Sequence, residues 1–513
     1  MRRPLRLSIA LALALFGSGA FASGTDPIQL YNAACASALA GHEDAAIDLL
    51  RQATAAGYTK VDAIRADADL ASLHDDPRFE ALLADVARAE ARRQRMWNGP
   101  SFATPYQPVL GEDERVAGLS RLWSEAKFNF ASFDLVPDLD WDALYLATLP
   151  QVRAATSTTD YYRVLRRFVA QLHDGHSSVR PPVEVANRID AHPGVRTALV
   201  EGRVFIVGLL DPKLADAGVV PGMEITAIEG QPVQAWAQAN IAPDQPASTA
   251  QDLAARTYER ALLSGPLDAP ARVTVRDVNG QPRELSLPRM PARDFEAAVW
   301  AGPVFEWRML PGNIAYVRVL HFGNDSAAAG FREHFDEIAR ADGLVIDVRE
   351  NGGGNSSNGY QLLAMLTDQP FAGSSWQTRE YLPTYRAWGR PEGIHAEPAF
   401  EMPPDGTRHY AGPVLVLTSA RTYSAAEDFV VAFDAMRRGR IVGEPTGGST
   451  GQPLLFDLPG GGTARICTKR DRYPDGREFV GVGVQPQVAV SPRVDDLLAG
   501  RDTVLDAALR LLR

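Results

Sequence analysis

The 513-residue chain is 45% hydrophobic, too long for one core and too apolar to be disordered, so about three or four domains are expected. Its formal charge of −11 makes nucleic acid or an anionic lipid surface a poor partner. Two cysteines, Cys35 and Cys467, cannot build a metal site between them. A single disulfide is open to them in an oxidising compartment, and two unpaired core thiols suit their separation better.

The first residues, "MRRPLRLSIALALALFGSGAFAS", set Arg2, Arg3 and Arg6 ahead of an apolar run from Leu7 to Phe16 and end in Ala20-Phe21-Ala22. Residues 1–22 therefore read as an export signal with cleavage after Ala22. The run is too short for a permanent anchor, and no later stretch nears eighteen continuous apolar residues. The expected mature chain is exported and without a stable membrane anchor, periplasmic or else secreted. Its charge is −14, from 49 basic and 63 acidic residues once three leader arginines are gone.

Residues 25–92 follow as a helical segment. Ala and Leu recur at helical spacing in "IQLYNAACASALAGHEDAAIDLLRQATAAG", broken at Gly41 and ended at Gly57, which predicts two antiparallel helices resembling a tetratricopeptide-type repeat. Residues 105–190 alternate proline turns with amphipathic helices and finish in "HDGHSS", where Asp174-Gly175 is expected to end a helix and expose His176. From about residue 193 to 292 the pattern turns to strands, with an Asn279-Gly280 hairpin turn. Its segment "AGVVPGMEITAIEGQPV" resembles a PDZ domain, a fold that takes an extended chain end beside an exposed strand. Residues 300–495 alternate strands and helices, as in an α/β sheet, and 496–513 form a last helix.

Two stretches of the α/β block can carry chemistry. In "LVIDVRENGGGNSSNGY" a buried strand runs into Gly352, Gly353 and Gly354, where backbone N–H groups can face a ligand at close range. The run matches neither G-x-x-x-x-G-K nor G-x-G-x-x-G, so no nucleotide and no other cofactor is expected. In "VLVLTSARTYSAAEDFVVAF" Ser424 and Glu427 stand at capping-box spacing before an apolar helix face. A nucleophile profits from that same place, because the helix amino end and the Ala425 N–H stabilise developing negative charge. A serine needs a base, and His176 is the histidine with the most suggestive surroundings.

"DGH" after a helical layer, "DVRENGGG" after a PDZ-like module and "TYSAAEDF" after a third strand, in that order, resemble the tail-specific or C-terminal processing serine proteases, a family that includes the tricorn core. "VGEPTGGSTGQ" and "DGREFVGVGVQPQVAV" extend the likeness over roughly residues 110–495. The resemblance implies a multidomain α/β protein: a ClpP/crotonase-like protease core with a helical cap, an inserted PDZ-like domain and the N-terminal helical repeat. It further implies Ser424 as nucleophile, and Gly353 or Gly352 with Ala425 as oxyanion hole.

The processing branch of that family uses a lysine base, and Ser449 stands at its place here. The tricorn-like branch uses a histidine, matched by His176, with a serine where this chain has Gly175. Its supporting glutamate falls near Val480, which points to Glu478 as the closest carboxylate, with Asp475, Asp174 or Ser177 as alternatives. The expected activity is hydrolysis of unstructured or C-terminal polypeptide segments, with chain ends held at the PDZ-like module. The alternatives are an inactive peptide-binding scaffold and a hydrolase of a non-peptide acyl compound.

Overall fold

In the computed structural model, which describes residues 26–513, aspartate side chains cap two of the first four helices. Asp26 accepts from the Ile28 N–H at 2.9 Å to open α1 (Pro27–Leu39). Gly41, at φ 76°, turns the chain into α2 (Glu43–Ala55), followed by α3 (Val61–Ala66) and the Asp76-capped α4 (Pro77–Trp97). Their alanines and leucines close a core of their own around Ala34, Ile47 and Leu50. The chain divides after Pro100 into two compact units. The leader lies outside the described residues. Among those described, no helix is long and apolar enough to cross a membrane. Cys35, in the first unit, and Cys467, in the second, are both free and buried.

The second unit begins with a helical layer, α5 (Glu112–Asn129), α6 (Trp141–Ala154) and α7 (Thr158–Ala170). Helix α7 buries Tyr161, Tyr162, Leu165 and Phe168. Contrary to expectation, Gly175 does not terminate it: the helix ends at Ala170 with Gln171 as its cap, and the left-handed residue is His173, at φ 47°. After β1 (Ser178–Arg180) come β2 (Val195–Val200), β3 (Arg203–Leu209), β4 (Glu224–Ile228), β5 (Ala271–Arg276) and β6 (Pro282–Leu287). These pair antiparallel in the order β2-β3-β4-β5-β6 over the span read as PDZ-like. Between β4 and β5 lie α8 (Val233–Asn240) and a π-helical turn, Ala255–Arg260.

The α/β core is a sheet of β7 (Phe305–Leu310), β8 (Ile314–Val319), β9 (Gly343–Asp347), β10 (Val414–Thr418) and β11 (Arg440–Gly443), extended by a short strand near the C-terminus. Only β7 runs antiparallel, and the central strands β9 and β10 are buried and apolar but for the Asp347 and Thr418 at their carboxyl ends, because helices cover both faces. Leu344 and Ile346 pack against α9 (Ser326–Glu333), α10 (Ser356–Leu363) and α11 (Ala425–Ala435). Val345, Leu415 and Leu417 pack on the other face against Val504 and Ala508 of the last helix, α12 (Thr503–Leu511). A hairpin of β12 (Pro453–Leu458) and β13 (Gly462–Cys467) pairs with β1 through β13. That ladder carries the end of the helical layer up to the core.

Candidate active site

Strands β9 and β10 are parallel neighbours, so the loops beyond their carboxyl ends meet, as ligand loops do in α/β sheets. Thr422 Oγ1 donates to the Val348 carbonyl at 2.9 Å, Ser419 Oγ to that of Arg349 at 2.7 Å, and the Tyr423 N–H to that of Asn351 at 3.0 Å. These bonds hold the glycine run against the start of α11. Gly353 sits at φ 99°, and a Cβ there would lie 2.6 Å from the Tyr423 oxygen and 2.7 Å from Ser424 Cβ. Only glycine fits both the dihedral and the space. Its N–H donates to Asn351 Oδ1 at 2.9 Å. The Gly352 N–H has no protein acceptor among the described residues, and Ala425, first residue of α11, has none within its helix.

Ser424 itself stands at φ 57° and ψ −126°, a strained conformation for a residue with a side chain. The capping-box spacing is used by only one of its partners. Glu427 reaches back to the Ser424 N–H at 3.2 Å, while the Ser424 hydroxyl leaves the helix amides alone. The Glu427 N–H bonds the Ser424 carbonyl instead, at 2.7 Å. The hydroxyl is thereby free for His176, whose Nε2 lies 3.0 Å from Ser424 Oγ.

On the far side of the imidazole, Nδ1 lies 2.8 Å from Ser449 Oγ, and Ser449 Oγ donates to Asp174 Oδ1 at 3.3 Å. A serine that donates to Asp174 has its oxygen left to accept, which puts the proton on His176 Nδ1. Nε2 is then the lone-pair nitrogen facing Ser424, the tautomer a general base requires. Asp174 is buried and also receives Ser177 Oγ at 2.6 Å and the His176 N–H at 3.2 Å. Burial, with the charges of Arg465, Arg256 and Lys469, pushes the imidazole down from 6.5 to about 3. The Tyr423 ring stacks on it at 5.3 Å.

The structure brings Ser424, His176, Ala425 and the glycine run together and leaves Glu478 apart. The Glu478 carboxylate pairs with Arg470, at 3.4 Å, and with Arg472, while both nitrogens of His176 are taken by serines. Val480 turns into the apolar core. Ser449, Tyr423 and Arg256 are site residues that sequence reasoning did not assign. Among the described residues, one group of metal-ligating type gathers, Cys35, Asp67 and Asp69 in the first unit. Asp67 already accepts the Tyr31 hydroxyl at 2.6 Å and the Asp69 N–H at 3.0 Å, so no ion is needed to satisfy it.

Gly175 explains the departure from the serine found in the tricorn-like pattern. A Cβ there would lie 1.7 Å from Tyr423 Oη and 2.7 Å from Arg256 Nη2. Neither can give way cheaply: Arg256 is tied to Asp252 at 2.7 Å, and the tyrosine ring is held between His176 and the Arg256 guanidinium, 5.2 Å above it. Gly175→Ser is therefore expected to displace Tyr423 and with it His176. Turnover should fall on the order of 10²-fold, the effect of an ångström-scale misplacement of a reacting group, with a lower melting temperature from the overpacked site. Unchanged kinetics would show that the Tyr423 stack does not position the imidazole.

Comparison with known proteins bears on this geometry. Residues 313–490 match the model of peptidase family S41. The chain is 28% identical over 183 residues to the chloroplastic C-terminal processing peptidase of Tetradesmus obliquus, covering 35% of this chain and 36% of that one. It is 30% identical over 206 residues to tricorn protease homolog 1 of Streptomyces coelicolor, covering 39% and 17%. A second tricorn homolog of that organism aligns at 24% identity over 403 residues, 73% of this chain and 30% of its own. The chain thus spans about a third or less of these relatives' lengths. The structure of mature CPAF complexed with lactacystin shares the fold, with TM-score 0.61 and 15% identity over 78% of this chain and 98% of that one. The likeness to peptidase family S41 thus spans residues 313–490, which hold the glycine run and Ser424, while His176 lies ahead of the matched segment.

Proposed function

We propose that the protein is a serine peptidase that hydrolyses unstructured or C-terminal polypeptide segments. The observation that carries the reading is the Ser424–His176 contact at 3.0 Å, backed by Ser449 on Nδ1. His176 takes the hydroxyl proton as Ser424 attacks the scissile carbonyl, and the imidazolium then protonates the leaving amine. The oxyanion lies against the Ala425 N–H and the Gly352–Gly353 pair, with the Gly352 N–H uncommitted and that of Gly353 shared with Asn351. Ser449, bonded in turn to Asp174, takes the orienting part that the sequence assigns to Glu478. An inactive scaffold would have no use for a strained, uncapped Ser424 directed at a buried imidazole. The leader motif supports export to the periplasm, and the β insertion is a candidate to hold substrate chain ends.

Labelling with a fluorophosphonate probe tests this. The wild type is expected to label at Ser424, located by peptide mapping, and His176→Ala to lose the labelling. Because burial holds His176 near 3 instead of 6.5, the labelling rate should stay level from pH 8 down to about pH 5, where an ordinary histidine would already be protonated. The same shift sets the sign of stability. The unfolded imidazole takes a proton below 6.5 and the folded one only near 3, so protonation favours unfolding in that window. Stability should fall as pH drops through it, by at most about 1.4 kcal/mol per unit. A folded wild type that does not label would sink the reading.

A further inference from the structure

Three glycines in a row leave the loop beyond β9 free to adopt many conformations, whereas amides that meet a developing oxyanion must be held in place beforehand. The fixing comes from Asn351, which precedes the run. Its N–H donates to the Val348 carbonyl at 3.0 Å, and its carbonyl accepts the Tyr423 N–H at 3.0 Å. Its side chain adds a third tie, Oδ1 accepting the Gly353 N–H at 2.9 Å. Further along the run, the Gly353 carbonyl accepts the Phe322 N–H at 2.7 Å. Trp300 packs against Gly352, where a Cβ would lie 2.8 Å from the indole ring.

The Asn351 side chain is fully buried, so it touches no substrate. Only half of its carboxamide is used: Nδ2 has no hydrogen-bond partner among the described residues. An orphaned buried NH₂ works against stability, which leaves the Oδ1 bond as the contribution of the side chain. Turning the amide over would set its NH₂ against the Gly353 N–H. Gly353 is in turn the residue of the run that meets the nucleophile turn, since a Cβ on it would lie 2.7 Å from Ser424 Cβ and 2.9 Å from the Ala425 nitrogen. The carboxamide thus grips the residue that faces Ser424 and Ala425.

We propose that Asn351 is a positioning residue for the oxyanion hole, its side-chain and main-chain carbonyls together setting the glycine run against Ala425 before a substrate binds. The role rests on the serine–histidine reading given above. Held amides act on charge that appears only as the tetrahedral adduct forms, so their loss falls on the chemical step and not on binding. Substitution of the side chain leaves the main-chain bond to Tyr423, and with it the stack on His176, in place.

Fluorophosphonate inactivation of the full chain tests this, because Ser424 attacks phosphorus and the phosphoryl oxygen takes the place of the oxyanion. Asn351→Ala removes the acceptor, and Asn351→Ser returns a shorter one that bonds the N–H two residues on more weakly. In Asn351→Ala the maximal inactivation rate is expected to fall on the order of 10²-fold, as for a lost oxyanion donor, while the half-saturating probe concentration and the pH profile stay those of the wild type. Asn351→Ser should lie between the two. An unchanged or raised rate in a folded Asn351→Ala would show that Asn351 merely competes for the Gly353 amide, and overturns the role. So does a loss confined to the half-saturating concentration, or one that comes with a shifted pH profile, the mark of a disturbed imidazole. If Asn351→Ala does not fold, Asn351→Ser decides by the same criteria: a lower maximal rate at wild-type half-saturation and pH profile supports the role, and any other pattern overturns it. Each of these results leaves the serine–histidine pair standing, whereas a wild type that does not label overturns both.

Discussion

Ser424→Ala is expected to lower kcat/KM on an unstructured peptide by roughly 10⁴- to 10⁶-fold, and His176→Ala by nearly as much. The reason is the 3.0 Å contact between them: a hydroxyl without a base is a weak nucleophile, and a base without a hydroxyl has nothing to activate. The two losses should therefore not add. The double variant should be no worse than the poorer single one, because either change already disables the unit. Ser449→Ala should fall less, on the order of 10²- to 10³-fold, since it removes the acceptor that fixes the tautomer and leaves both reacting groups in place. Single-turnover kinetics on variants checked for native circular dichroism would decide. Activity surviving Ser424→Ala, or strictly additive losses, would rule the pair out as a catalytic unit.

What could be read from the sequence was read from local signals. The turn into α11 carries its own evidence, a buried strand, small polar residues and the Ser424-Ala-Ala-Glu427 spacing. The glycine run at 352–354 likewise announces a backbone that something approaches closely. Signals between distant segments were out of reach. Ser449 meets His176 across 273 residues, and nothing in "GEPTGGSTG" distinguishes a serine that orients an imidazole from one that lines a loop. The resemblance places a carboxylate near residue 480. Glu478 is drawn off by Arg470 and Arg472, and Val480 by the core. Gly175 has the local look of a helix stop, whereas its need for glycine comes from Tyr423 and Arg256. The π-helical turn that delivers Arg256 breaks the 3.6-residue period by which helices are recognised.

Glu427→Gln is expected to destabilise the protein by about 2 to 4 kcal/mol and to lower turnover with it. The carboxylate is fully buried and collects four donors: Thr446 Oγ1 at 2.6 Å and the Gly448 N–H at 2.7 Å on one oxygen, the Ser449 N–H at 2.9 Å and the Ser424 N–H at 3.2 Å on the other. Burial works against the charge and raises its pKa, but with donors on both oxygens a carboxyl proton would meet the same conflict as an NH₂, and the four bonds are those of the ionised form. A glutamine of the same shape must turn its NH₂ toward one side or the other, and either choice sets a donor against at least one backbone N–H. That orphaned amide, buried with no water to reach it, is where the cost arises. Thr446 Oγ1 cannot move to compensate, because it accepts the Val484 N–H at 2.7 Å. The strain passes to the 446–449 loop and so to the Ser449 hydroxyl on His176. The urea midpoint of Glu427→Gln should thus drop well below that of Glu401→Gln, a change at an exposed position that normally stays within about 0.5 kcal/mol. The turnover of Glu427→Gln should fall even at urea concentrations where it remains folded. Equal midpoints for the two variants would show that Glu427 does not tie the start of α11 to the loop that orients the imidazole.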